Sequence, residues 1–186
     1  MKSIKHILVV ASIIILAASC SDDDPEVVNE EELITTVSVV LTPQSGGNII
    51  TLKSTDLDGD GPNEPEISVS GNLTANTIYT GVTTLLNETV NPAENITAEV
   101  EEEGIDHQFF YAFKNSLAST TYLDTDENGD PIGIKFTLTT ASAGSEVLTV
   151  TLIHLPDKNG NNVVNGDITN ANGGTDAEAS FPFTIE

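Results

Sequence analysis

From Leu33 onward the chain is a series of short runs in which β-branched and apolar residues alternate with polar ones, separated by clusters of Gly, Pro, Asn and Asp. Leu33, Thr35, Val37, Val39 and Leu41 alternate with Ile34, Thr36, Ser38 and Val40, and the run stops at Thr42-Pro43. A period of two residues places one set on each face of a pleated strand and leaves no stripe for a helix to bury. Further runs of strand character are Asn48 to Ser54, Glu66 to Ser70, Thr77 to Leu86, His107 to Phe113, Ser119 to Leu123, Gly133 to Thr140, Glu146 to Leu155 and Ala179 to Ile185. One segment has a helical pattern: Asn91 as cap, Pro92 in the first position, Glu94 three residues after the cap, a stripe of Ile96 and Val100, and Gly104 as the stop. Nine strand runs, a single short helix and no strand–helix alternation predict an all-β antiparallel sandwich of immunoglobulin-like kind.

The first residues have a different logic. Lys2 and Lys5 precede an apolar run from Ile7 to Ala18. At about 12 residues this run suits a secretory leader and falls short of the roughly 20 needed to span a bilayer. Cys20 is the only cysteine in the chain. The small residues Ala17, Ala18 and Ser19 before it resemble a bacterial lipobox, whose cysteine is lipidated and becomes the mature N-terminus; Ala17 stands where the usual lipobox has Leu, and Leu16 is one residue earlier. Ser21-Asp22-Asp23-Asp24 resembles the acidic export tag that sends Bacteroidota lipoproteins to the outer face of the outer membrane. The expected organisation is a leader over residues 1–19, a lipidated Cys20 with a flexible acidic tether over residues 20–32, and one sandwich domain over residues 33–186. Membrane contact would run through the N-terminal lipid.

Charge narrows the partners. The chain carries 29 acidic residues against 6 lysines, has no arginine, and has a formal net charge of −23. Two of the lysines lie in the leader, leaving Lys53, Lys114, Lys135 and Lys158 for the domain. Nucleic-acid binding needs Lys and Arg to neutralise phosphates and is not expected. Anionic ligands lose their usual Arg fork. With Cys20 committed to lipid, no disulfide is available, so stability rests on the core and on any bound cation. Like-charged copies should repel one another, which favours a monomer.

Two loops carry calcium-like spacing. Asp56-x-Asp58-x-Asp60-Gly61 places carboxylates at positions one, three and five of a calcium loop, with glycine at the turn and Glu64 or Glu66 able to close the shell. Position twelve is Ile67 rather than glutamate, and a solvated Asp-Gly turn has the same composition. Asp124-x-Asp126-x-Asn128-Gly129-Asp130 repeats the spacing with Lys135 at position twelve, and there a hairpin turn is the favoured reading. Asp157-Lys158-Asn159-Gly160 reads as a turn only. Calcium is the one cofactor these loops suggest.

His107 and His154 share strand parity with apolar residues, so both point to the core side of their strands. Two imidazoles meeting there would suit a transition metal or haem, an alternative ligand site; hydrogen-bonded histidines at the core edge are the ordinary expectation. No cysteine nucleophile or nucleophile-elbow motif is present, so the chain is not expected to be an enzyme. Without tryptophan, a glycan platform would have to come from Tyr79, Tyr111 or Tyr122.

The segments Glu30-Glu31-Glu32-Leu33-Ile34-Thr35-Thr36-Val37, Asp56-Leu57-Asp58-Gly59-Asp60-Gly61 and His107-Gln108-Phe109-Phe110 resemble a group of small uncharacterised flavobacterial surface lipoproteins along the full length. The resemblance implies a lipid-anchored sandwich on the cell surface and no established activity. The expected role is therefore structural, adhesive or partner-binding, with a surface protein or glycan as partner. The alternative is ligand capture, of glycan, haem or metal, beside an outer-membrane uptake system.

Overall fold

The computed structural model describes residues 33–59 and 61–186, which belong to one compact unit. Residues 1–32, which hold the expected leader, Cys20 and the expected tether, lie outside the described residues, as does Asp60. Among the described residues nine strands form: β1 (Thr36–Pro43), β2 (Ile50–Thr55), β3 (Glu66–Val69), β4 (Ile78–Leu86), β5 (His107–Phe113), β6 (Ala118–Tyr122), β7 (Lys135–Thr140), β8 (Gly144–His154) and β9 (Gly174–Ile185). One α-helix lies among them, α1 (Ile96–Glu102), between β4 and β5.

The strands build two sheets, one of six in the order β3-β2-β1-β4-β7-β6 and one of three in the order β5-β8-β9. Every pairing between them is antiparallel. The chain crosses to the smaller sheet for β5, returns for β6 and β7, and crosses again for β8 and β9. The fold is an all-β sandwich, broader on one side than the four-and-three division of an immunoglobulin constant domain.

Period-two patterning decides what faces inward. Val39 and Leu41 from β1, Tyr79 and Leu85 from β4, and Phe136 and Leu138 from β7 meet Phe109, Leu148, Val150, Phe181 and Ile185 from the opposite sheet. In β9 the buried Ala179, Phe181, Phe183 and Ile185 alternate with exposed Ser180, Pro182 and Thr184. Gly81 sits on the inner face of β4 because the Phe136 ring fills the space a Cβ would need. That ring lies 4.2 Å from the Tyr111 ring, and the Tyr111 hydroxyl donates to the Gly133 carbonyl at 2.6 Å. The core is thereby tied to the start of β7 by a satisfied polar group rather than by packing alone.

β5 departs from alternation, with His107 to Tyr111 all buried. Its outer face is covered by the connection between β8 and β9, where Val163 and Ala171 pack on Phe110 and Ile153 as a second, smaller core. Short 3-10 turns at Val163–Asn165 and Ile168–Asn170 hold that connection.

The helix begins later than its sequence pattern implies. Asn87 and Glu94 exchange backbone hydrogen bonds at 3.1 and 3.0 Å, so Asn91 and Pro92 lie in the loop they close, and Asn95 is the residue at the cap. The Thr97 hydroxyl then accepts from the Leu85 amide at 2.7 Å, docking the helix on the end of β4 with Ile96 and Val100 buried. The closure of the preceding loop on β4 outweighs the local Asn-Pro signal.

Candidate functional site

The two Asp-rich loops use their carboxylates in different ways. In the first, Asp58 accepts from the Asn63 side chain at 2.7 Å, and the Gly61 amide donates to the Asp58 carbonyl at 2.9 Å. Asp56 accepts from the Asp58 amide at 3.3 Å, and Glu64 is exposed. These bonds are those of a self-closed turn. The third carboxylate of the motif, Asp60, lies outside the described residues.

In the second loop the acids are engaged by the protein itself. Asp124 accepts from the Gly133 and Lys135 amides at 2.8 and 2.7 Å. Asp126 Oδ1 accepts from the Asn128 and Asp130 amides at 2.9 and 3.0 Å, while Oδ2 meets Lys158 Nζ at 2.8 Å. Lys158 also donates to the Gly104 carbonyl at 2.6 Å and is only 7% exposed. Its ammonium is the cation that meets Asp126, and it joins three segments: the end of α1, the Asp124–Asp130 loop and the turn after β8. Burial alone would raise the Asp126 carboxyl, but Lys158 and the loop amides outweigh it and hold it below its ordinary value. The role of Lys158 is not legible in the sequence, because nothing in the local spacing joins it to Asp126 or Gly104.

The histidines come together. β5 and β8 are paired, and His107 lies directly opposite His154. Their rings are near-parallel, 11° apart in plane, with centres 4.9 Å apart. A third group joins them from β9. The β8–β9 register slips between Leu152 and Ile153, so that Leu152 faces Ala177, Ile153 faces Thr175, and Asp176 is the extra residue of a bulge. A bulge re-aims the side chain it carries. Asp176 Oδ2 lies 3.5 Å from His107 Nε2, and Oδ1 lies 3.9 Å from His154 Nδ1.

His107 Nδ1 lies 3.1 Å from the Glu103 carbonyl, a contact it can make only as a donor. Burial opposes its protonation, but Asp176 and the Glu103 carbonyl outweigh this and raise its affinity for a proton above the ordinary value. One donor atom from each of His107, His154 and Asp176 lies within 4.8 Å of the other two. Asp176 was missed in sequence because β9 reads clearly only from Ala179; the one available signal was Gly173-Gly174 just ahead of it, since glycine near a strand often marks a bulge or a close backbone approach.

The geometry also sorts the ligand classes. Haem held between two axial imidazoles needs ring centres roughly 6 Å apart with iron between them, given metal–nitrogen bonds of about 2 Å. Here the rings belong to hydrogen-bonded neighbouring strands and their centres lie 4.9 Å apart. All nine Phe and Tyr residues are buried or half-buried, Tyr79, Tyr111 and Tyr122 included. No family model, curated protein or solved structure matches the chain.

Proposed function

We propose that the chain is a lipid-anchored outer-membrane lipoprotein displayed on the cell surface, with a structural, adhesive or partner-binding role and no catalytic one. The observation that carries this reading is the sequence order: a leader-like segment over residues 1–19, Cys20, the acidic Ser21–Asp24 segment and then a sandwich. The sandwich supports it in two ways. Its inner faces are filled by side chains, and the acids Asp126 and Glu146, whose side chains are nearly out of solvent, accept hydrogen bonds from backbone amides or lysine.

Calcium, if it stiffens a loop, does so at Asp56, Asp58 and Asp60, since in the other loop it would have to displace the Lys158 ammonium. Ligand capture is the second reading, and the facing His107 and His154 favour its metal form over its glycan or haem forms. Treating intact cells of the native host with protease tests surface display. The wild-type protein is expected to be degraded, and a variant with Ser21-Asp22-Asp23-Asp24 replaced by alanines is expected to be protected. Protection of both proteins would place the domain inside the envelope and end the proposal.

A further inference from the structure

We propose that His107, His154 and Asp176 form a binding site for a divalent transition-metal ion of the zinc class. Two imidazoles and one carboxylate are a donor set that suits zinc and its first-row neighbours, and is too nitrogen-rich for calcium or magnesium. The three donors already lie within 4.8 Å of one another. Around a tetrahedral ion at about 2.0–2.1 Å they would stand roughly 3.3 Å apart, a closure that side-chain rotation can supply.

Three features of the fold converge on this arrangement. Cross-strand pairing sets the histidines opposite each other on the core side. The bulge places an even-numbered residue of β9 on the same side as its odd-numbered core residues, which regular pairing would not do. The Glu103 carbonyl occupies His107 Nδ1 and leaves Nε2, the nitrogen nearer Asp176, as the available lone pair. A ligating histidine whose second nitrogen donates to a backbone carbonyl is the usual outer-shell arrangement of a metal site.

Access is open on one side. The side chains of His154 and Asp176 are 19% and 16% exposed against 6% for His107. Asp176 also lines a surface hollow of about 380 Å³ together with Asp56 and Glu178, whose charges would draw a cation in. Three protein donors leave a fourth position for water or for a group from a partner.

The test uses the full-length chain in detergent, stripped with EDTA and titrated with Co²⁺ and then Zn²⁺ in excess Ca²⁺, which saturates exposed carboxylates. One equivalent of Co²⁺ should develop visible absorption that Zn²⁺ abolishes. Asp176→Asn and His154→Gln, both at partly exposed positions, should weaken Zn²⁺ binding by at least about tenfold while the metal-free unfolding midpoint holds. Absence of a saturable site in the wild type, binding that Ca²⁺ removes, or equal binding in the folded variants would each overturn the proposal.

Discussion

Glu146 shows how a single side chain can hold a turn. It is 1% exposed, and its carboxylate accepts from the Asn115, Leu117 and Val147 amides at 2.7, 2.7 and 2.9 Å, joining the β5–β6 turn to the start of β8. Burial alone would raise its carboxyl, but these amides outweigh burial and hold it below the ordinary 4.5. Because the folded state binds the proton less tightly than the unfolded state, the contribution is fully present above pH 4.5 and is lost as pH falls through the lower folded value. Glu146→Ala should cost about 2–3 kcal/mol in urea unfolding at pH 7, a loss that narrows below pH 4. Equal losses at both pH values would show that the charge is not what holds the turn. Lys158→Met leaves Asp126 buried without its partner and should cost about 3–5 kcal/mol, with Lys158→Met/Asp126→Asn recovering part of it. Full additivity of the two single losses would contradict the pairing.

At the scale of elements, the strands were legible because their signal is local. Alternation around Val37 to Leu41 and around Phe181 to Ile185 states which face is buried before any partner is known. Strand order is not local: His107 and His154 are paired although the rest of β5, the whole of β6 and β7, and β8 up to its last residue separate them along the chain, and no spacing rule announces it. The same limit hid Asp176, whose importance comes from a register slip between two strands, and misplaced the helix start, where a backbone exchange between Asn87 and Glu94 overrides Asn91 and Pro92. Gly81 gives the element-scale prediction. Gly81→Ala drives a methyl group into the Phe136 ring and should destabilise by about 1–3 kcal/mol, seen as a lower urea midpoint at unchanged slope. The double variant Gly81→Ala/Phe136→Leu should recover part of that loss by making room, and no recovery would point to strand backbone rather than the ring.

For the whole molecule, charge dominates. A net charge of −23 with no arginine makes self-repulsion a standing cost, so the unfolding midpoint should rise as NaCl is brought from low to physiological concentration. At fixed ionic strength, millimolar Ca²⁺ should raise it further only if the Asp56 loop holds an ion; occupancy at ten to a hundred times the dissociation constant would add roughly 1.4–2.7 kcal/mol. A calcium shift lost in Asp56→Asn/Asp58→Asn/Asp60→Asn would assign it to that loop, and no shift would leave the loop as a turn. Surface display through a lipid on Cys20 is decided by mass spectrometry of the mature N-terminus, on protein extracted from the native membrane. A chain beginning at Cys20 with acyl groups on that residue is expected. An N-terminus at Met1, or cleavage elsewhere with an unmodified Cys20, would contradict it.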